Sequence, residues 1–139
     1  MKKLALIISL LPILCSAQSV ELKRWARIDQ SVLKESYQAI TIDTKTNELS
    51  VSGISDPNAG SPDCAFEGFT HIYNSEEKVH KYLFTEKDPE GESCAVLVDT
   101  MINPKTNKLV GRVQMNDGYA CQSFCSLGVA AKDLEGYYR

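Results

Sequence analysis

The feature that most constrains the fold is a short turn pattern that occurs twice between strand-like segments. The stretches IDTKTNELSVSG and INPKTNKLVGRV lie 60 residues apart and share Lys-Thr-Asn-x-Leu. In each stretch, apolar and β-branched residues flank a polar turn whose asparagine tolerates a positive φ angle. The pattern predicts two β-hairpins, one with strands over 37–43 and 48–54, the other with strands over 94–102 and from Leu109 to Val113.

The repeated turn has two interpretations. A cysteine and then a glycine follow each hairpin, as CAFEG at 64–68 and CSLG at 125–128. One interpretation is therefore a duplicated unit of hairpin plus cysteine. The other is that a β protein uses the same turn chemistry twice. Both predict antiparallel sheets in which consecutive strands are neighbours.

The remaining segments are also typical of a β protein. Strands are predicted over 66–73 and 78–86, joined by the turn NSEE, with a last strand at YYR. Helical spacing of apolar residues appears over 21–36, and 126–136 has room for one helical turn. The spacing of a βαβ protein is absent from this pattern. The sequence therefore predicts an all-β fold, a small antiparallel β-sandwich or barrel with at most short helices.

The N-terminus has the pattern of an export signal. MKKLALIISLLPILCSA combines two lysines, an apolar run and small residues, which predicts a signal peptide over 1–17. The apolar run is too short to cross a bilayer, which takes ~20 residues. Cys15 leaves lipidation open as a minor alternative, although Leu14 stands where a bacterial lipoprotein has a small residue. We expect a periplasmic or secreted domain over 18–139 without a transmembrane anchor.

Charge narrows the class of partner. After cleavage, 122 residues remain, with 13 basic and 18 acidic side chains and a net charge of about −5. This balance argues against nucleic-acid binding, which uses clustered basic residues. A mildly acidic surface favours a basic partner, mainly by accelerating encounter.

Four cysteines remain in the exported domain, and they predict two disulfides. Their close pair, in ACQSFC, has the spacing C-x3-C, whereas zinc and redox sites typically use C-x2-C. The histidines, His71 and His80, are far apart in sequence. They could approach each other across the hairpin of 66–73 and 78–86, but solvated positions on alternate strands explain them equally well. We favour the pairing Cys121–Cys125 with Cys64–Cys94. The crossed pairings of Cys64 and Cys94 into the C-terminal segment stay open.

Catalytic patterns are not found in the sequence. A nucleophile needs a base within reach, and the sequence lacks nucleophile-elbow glycines and a glycine-rich phosphate loop. The carboxylates lie in turn-like segments, where solvation explains them better than glycosidase chemistry. The sequence therefore predicts a protein that is not an enzyme and has no metal and no cofactor.

The C-terminal part carries a family resemblance. CQSFCSLGVAAKDLEGYYR has the form C-x3-C-x2-G-x-A-x5-G-x-Y, and CAFEGFTHIY and SCAVLVDT precede it in order. Over residues 60–139 the chain resembles small cysteine-containing β proteins exported to the bacterial periplasm, some of them similar to periplasmic lysozyme inhibitors. Ser126 stands where the pattern usually has glycine, and no inhibitor loop motif maps onto the chain.

The resemblance implies a protein that binds and blocks a cell-wall-degrading enzyme. The target would be a host lysozyme or a competitor's toxin, in which case the chain is an immunity protein. Lysozymes are usually basic, and residues 86–92 form a loop rich in acidic side chains. We therefore expect this acidic loop to be the contact surface, through Glu86, Asp88, Glu90 and Glu92. The alternative is a structural envelope domain, or a small-ligand binder if the strands enclose a wide apolar cavity.

Overall fold

A computed structural model describes residues 19–25, 37–54, 62–126 and 130–139, which form an all-β fold of two antiparallel sheets. The first sheet contains, in this order, β1 (Ser19–Trp25), β2 (Tyr37–Asp43), β3 (Leu49–Ile54) and β4 (Cys64–Phe66). The second contains, in this order, β5 (Thr70–Asn74), β6 (Val79–Lys87), β7 (Ser93–Ile102), β8 (Leu109–Met115) and β9 (Gly136–Tyr138). Helical structure consists of α1 (Gly118–Cys121) and two 3-10 turns, Gln122–Phe124 and Ala131–Leu134. The predicted signal peptide lies outside the described residues.

The two sheets pack face to face around one core. Along β7, buried and partly exposed residues alternate, as the two-residue period of a strand requires. One hydrophobic cluster takes side chains from both sheets, among them Ile40, Val51, Phe66, Tyr82, Val98 and Tyr138. The fold is therefore of the sandwich type that the sequence predicts. In the described part of the chain, no helix is long and apolar enough to cross a membrane.

The sheets also meet along one edge. Lys23 on β1 and Arg139, which follows β9, exchange two backbone hydrogen bonds of 3.1 and 3.3 Å. Strand β1 and the end of the chain thus satisfy each other's backbone groups, which would otherwise be exposed at two sheet edges.

The repeated turn predicted from the sequence is confirmed. Asn47 and Asn107 have φ angles of 56° and 55°, and each donates its backbone N–H to the carbonyl four residues before it. The first turn joins β2 to β3, and the second joins β7 to β8. The strands β1–β4 and the strands β6–β9 each form a series of four consecutive strands. In each series, the repeated turn joins the second strand to the third.

The predicted helix over 21–36 is wrong in its described part. Residues 19–25 form β1, in which Leu22 is buried while Glu21 and Lys23 are exposed. The segment pairs along its whole length with β2, and this pairing supplies its backbone hydrogen bonds. Residues 26–36 lie outside the described residues.

The predicted strand over 66–73 is two strands in different sheets. Strand β4 ends at Phe66 and β5 begins at Thr70. Gly68, with a φ angle of 82°, lies in the three-residue connection by which the chain crosses from the first sheet to the second. The predicted turn at NSEE, the helical turn within 126–136 and the last strand are present.

The favoured disulfide pairing is also wrong. Cys64 is bonded to Cys125 and Cys94 to Cys121, one of the crossed pairings that the sequence left open. Cys121 is the last residue of α1, which packs on β7, whereas Cys125 has extended backbone and forms a bridge with β4. The neighbouring thiols thus face different strands and cannot bond to each other.

Candidate functional site

The predicted acidic loop is a tight turn between β6 and β7, built around Asp88. One carboxylate oxygen of Asp88 accepts the backbone N–H groups of Glu90 (2.9 Å) and Glu92 (2.8 Å). Its backbone N–H donates to the carbonyl of Glu92, and its carbonyl accepts from Gly91. Because Asp88 makes these bonds, the turn has a defined shape before any partner arrives.

The structure separates the four predicted contact residues into two roles. Glu86, Glu90 and Glu92 are exposed, so their carboxylates are accessible to a partner. Asp88 is only partly exposed and stabilises the turn instead. The prediction that these residues contact a partner therefore stays a prediction, now with Asp88 in a structural role.

Helix α1 lies at the same end of the sandwich as this turn. Its N-cap is Asp117, whose carboxylate accepts the backbone N–H of Tyr119 at 2.8 Å. Just before it, the Asn116 side chain accepts from the N–H of Ala95 (2.7 Å) and donates to the carbonyl of Ser93 (2.9 Å). These contacts attach the start of α1 to the start of β7.

Tyr119 is the most exposed large aromatic side chain of this end. It has 75% of its surface accessible, although Ala120 and Cys121 beside it are buried. The backbone that carries Tyr119 is held by the cap at Asp117 and by the Cys94–Cys121 disulfide. A large aromatic group on a fixed backbone is a typical anchor for a protein partner.

Negative charge is concentrated at this end, which we call the acidic end. It comprises the β6–β7 turn, α1 and the second 3-10 turn. Among its described residues, the exposed carboxylates outnumber the exposed lysines. The carboxylates are Glu86, Glu90, Glu92, Asp117 and Asp133, and the lysines are Lys87 and Lys132.

The opposite end carries the β2–β3, β5–β6 and β7–β8 turns and has a mixed charge. Its exposed lysines are Lys45, Lys78, Lys105 and Lys108, and its exposed glutamates are Glu48, Glu76 and Glu77. The described part of the molecule is therefore electrostatically polarised along the strands. A basic partner would be drawn to the acidic end.

The sequence missed Asp117, Tyr119 and Asp133 as members of this end. Asp117 and Tyr119 belong to NDGYAC, where an aspartate before Gly-Tyr is a plausible helix cap. Their proximity to the acidic turn follows from the Cys94–Cys121 bond, which the favoured pairing did not contain.

The two histidines, distant in sequence, are in contact on β5 and β6. Nε2 of His71 and Nδ1 of His80 are 2.8 Å apart, and Tyr73 and Tyr82 pack against the pair. Burial, followed by the charge of His71, lowers the pKa of His80 below its usual value. No group of three or more metal-ligating side chains occurs among the described residues.

A small-ligand site would be favoured by a wide apolar cavity. A groove of about 490 Å³ lies at the opposite end, where Tyr73, Met101 and Ile102 contribute to its wall. These three side chains are between 41% and 52% exposed, so the groove is open to solvent and is a surface feature.

Comparisons with known proteins give no assignment. No protein-family model matches the chain, and neither curated proteins nor solved structures yield a match. The functional argument therefore rests on the acidic end itself.

Proposed function

We propose that this protein is an exported binding protein that inhibits a basic cell-wall-degrading enzyme by contact with its acidic end. The target would be a host lysozyme or a hydrolase delivered by a competing bacterium. The observation that supports the proposal is the set of five exposed carboxylates at one end of a sandwich that two disulfides cross-link. In this proposal, the protein is not an enzyme and uses no cofactor.

Rigidity supports the proposal because ordering a flexible loop costs binding free energy. The Asp88 carboxylate already organises the turn that presents Glu90 and Glu92. Asn116 and the Cys94–Cys121 bond fix α1 against β7. A partner would meet a surface that needs little reorganisation.

Charge and the exposed aromatic ring would act on different steps of binding. Carboxylates at the rim of an interface mainly accelerate association, and salt weakens this effect. Tyr119 would slow dissociation by burying its ring in a pocket of the enzyme. Changes to the carboxylates should therefore alter the association rate and its salt dependence, whereas a change to Tyr119 should alter the dissociation rate.

Export agrees with the chemistry of the domain. Disulfides persist in oxidising compartments, and the described domain contains two. The N-terminal segment has the pattern of a signal peptide. We therefore propose that the protein is periplasmic or secreted, where it would meet lysozymes and imported hydrolases.

The first experiment is a binding and inhibition assay of the exported, oxidised protein against c-, g- and i-type lysozymes at physiological salt. Inhibition of one type with a nanomolar Kd would support the proposal. If none of the lysozymes binds, host-lysozyme inhibition is rejected. Toxins encoded beside the gene, or an envelope role without an enzyme target, would then be tested instead.

A charge-reversal variant tests the surface. In Glu86→Lys/Glu90→Lys/Glu92→Lys, the association rate should fall by roughly 10-fold or more and depend less on salt. Asp88 is left intact because it holds the turn. The matched control is Glu48→Lys/Glu76→Lys/Glu77→Lys, which changes the same amount of charge at the opposite end. Equal association rates in the two variants would reject the acidic end as the contact surface.

Tyr119→Ala tests the aromatic anchor. Because the side chain is 75% exposed, its removal should leave the melting temperature unchanged. The dissociation rate of the complex should rise by about 10-fold, since truncating an anchor residue costs more than ~1 kcal/mol. An unchanged dissociation rate would place Tyr119 outside the interface.

A further inference from the structure

Strand β5 is the sheet edge that the described structure leaves open. Strands β1 and β9 lie at the junction made by Lys23 and Arg139. Strand β4 is three residues long, and Cys125 forms a bridge with its Cys64. By contrast, β5 pairs with β6 on one side, and no hydrogen bond of the described residues reaches its other side.

The open edge has none of the features that normally prevent strand pairing. Proteins protect edges with charged residues, prolines, bulges or very short strands. The sequence of β5 is Thr-His-Ile-Tyr-Asn, without a lysine, an acidic residue or a proline. Ile72 is 60% exposed and Tyr73 is 50% exposed, so apolar surface lies on both faces of the strand.

The strand is also complementary to itself. In an antiparallel pairing centred on Ile72, each Ile72 lies opposite Ile72 of a second copy. The same register places His71 opposite Tyr73 and Thr70 opposite Asn74. Aromatic and β-branched cross-strand pairs stabilise sheets, and no like charges oppose one another in this register. Tyr73 already packs on an imidazole within one chain, that of His80, with 4.5 Å between ring centroids.

We propose that two copies of this chain associate through β5, in an antiparallel pairing centred on Ile72 that makes the two five-stranded sheets continuous. The interface is isologous, since the same strand is used by both copies, and it closes as a two-fold dimer. The acidic ends are not part of the interface, so each copy keeps its own acidic surface. The two acidic ends point in opposite directions because the paired strands are antiparallel.

Sedimentation equilibrium of the exported, oxidised protein tests the proposal without any enzyme. The wild type should show twice the mass of one chain as concentration rises. Ile72→Lys should remain monomeric, because two like charges would face each other across the two-fold axis. Met101→Lys is the matched control, since Met101 is an exposed apolar side chain of β7, away from the edge. It should remain dimeric.

Two outcomes would overturn the proposal: a monomeric wild type, or a dimer that persists in Ile72→Lys. Far-ultraviolet circular dichroism establishes that each variant is folded.

A second pair of variants reports directly which residues face each other across the proposed interface. Directly opposed residues have Cβ atoms about 5 Å apart, so Ile72→Cys should form an intermolecular disulfide under mild oxidation and Met101→Cys should not. Equal cross-linking of the two cysteine variants would also reject the pairing.

Discussion

Cys94 and Cys121 are bonded across 27 residues, and Asn116 hydrogen-bonds to both neighbours of Cys94. The disulfide and the amide side chain therefore hold α1 on β7 at two points. Tyr119 lies between these two points in the sequence. The exposed aromatic ring and the acidic turn consequently belong to one rigid end of the molecule, although about 30 residues separate them in the chain.

Removing either disulfide should destabilise the fold strongly. A cross-link stabilises mainly by reducing the entropy of the unfolded chain, more so for a longer loop. For loops of 61 and 27 residues, this model gives about 4 kcal/mol for Cys64–Cys125 and about 3.5 kcal/mol for Cys94–Cys121. Urea unfolding of Cys64→Ala/Cys125→Ala and Cys94→Ala/Cys121→Ala measures both losses.

Peptide mapping under non-reducing conditions provides the control for the disulfide variants. Each variant should retain the other native bridge. A protein in which Cys121 is bonded to Cys125 would contradict the pairing described here.

Gly111→Ala should destabilise the protein by about 1–3 kcal/mol, the usual cost of overpacking a core. A Cβ at this position would approach Ile40 Cδ1 to 2.8 Å and Leu22 Cδ1 to 3.1 Å. Both side chains are at least 95% buried and have little room to move. The free energy of unfolding measures the effect.

Ile40→Val provides a rescue, because it deletes the methyl group that the new Cβ would meet. The double variant should be more stable than the sum of the single effects predicts, by about 1 kcal/mol. Strict additivity would mean that the two positions do not meet across the core.

The fold class followed from local sequence, whereas disulfide pairing and one strand did not. The turns at Asn47 and Asn107 are encoded within a few residues, so the hairpins could be predicted. Strand β1 was mistaken for a helix because an apolar residue at Leu22 is compatible with both helical spacing and strand alternation. The segment forms a strand because it pairs with β2, and local sequence does not specify that pairing. Likewise, the chain crosses from one sheet to the other between Phe66 and Thr70, and local alternation of apolar residues does not indicate that crossing.

The candidate site was predictable only where its residues are contiguous. Glu86, Glu90 and Glu92 were identified as an exposed acidic segment, and they are exposed. The role of Asp88 within the turn depends on hydrogen-bond geometry that composition does not specify. Tyr119 joins the site through a disulfide, and sequence alone allows three connectivities for four cysteines.

Acidification should destabilise the β5–β6 hairpin. Burial and then the charge of His71 lower the pKa of His80 below 6.5, so the folded state binds fewer protons than the unfolded state near that pH. The contribution of His80 to the free energy of unfolding is therefore fully present above pH 6.5. It is lost as the pH falls toward the lower pKa that His80 has in the folded state. Urea unfolding at about pH 7.5 and about pH 5 should show the loss.

His71→Gln is the control for this pH dependence, because it removes the neighbouring charge but retains a hydrogen-bonding side chain. In that variant, the NMR titration of His80 should move to higher pH, and the acid-induced loss of stability should shrink. A wild-type His80 that titrates above 6.5 would contradict the mechanism.

Lys78→Asn should stabilise the protein, which few surface substitutions do. Lys78 has a φ angle of 55°, in the left-handed region that disfavours residues with long side chains. Asn47 in the β2–β3 turn and Asn107 in the β7–β8 turn have the same conformation. Because asparagine tolerates this region better, the gain in the free energy of unfolding should reach up to about 1 kcal/mol.

The reverse change, Asn107→Lys, should destabilise by a similar amount, since it introduces at the β7–β8 turn the strain that Lys78 carries at the β5–β6 turn. Thermal unfolding measures the change in stability of each variant. If both variants are stabilised, or both destabilised, backbone conformation does not determine the residue preference at these turns.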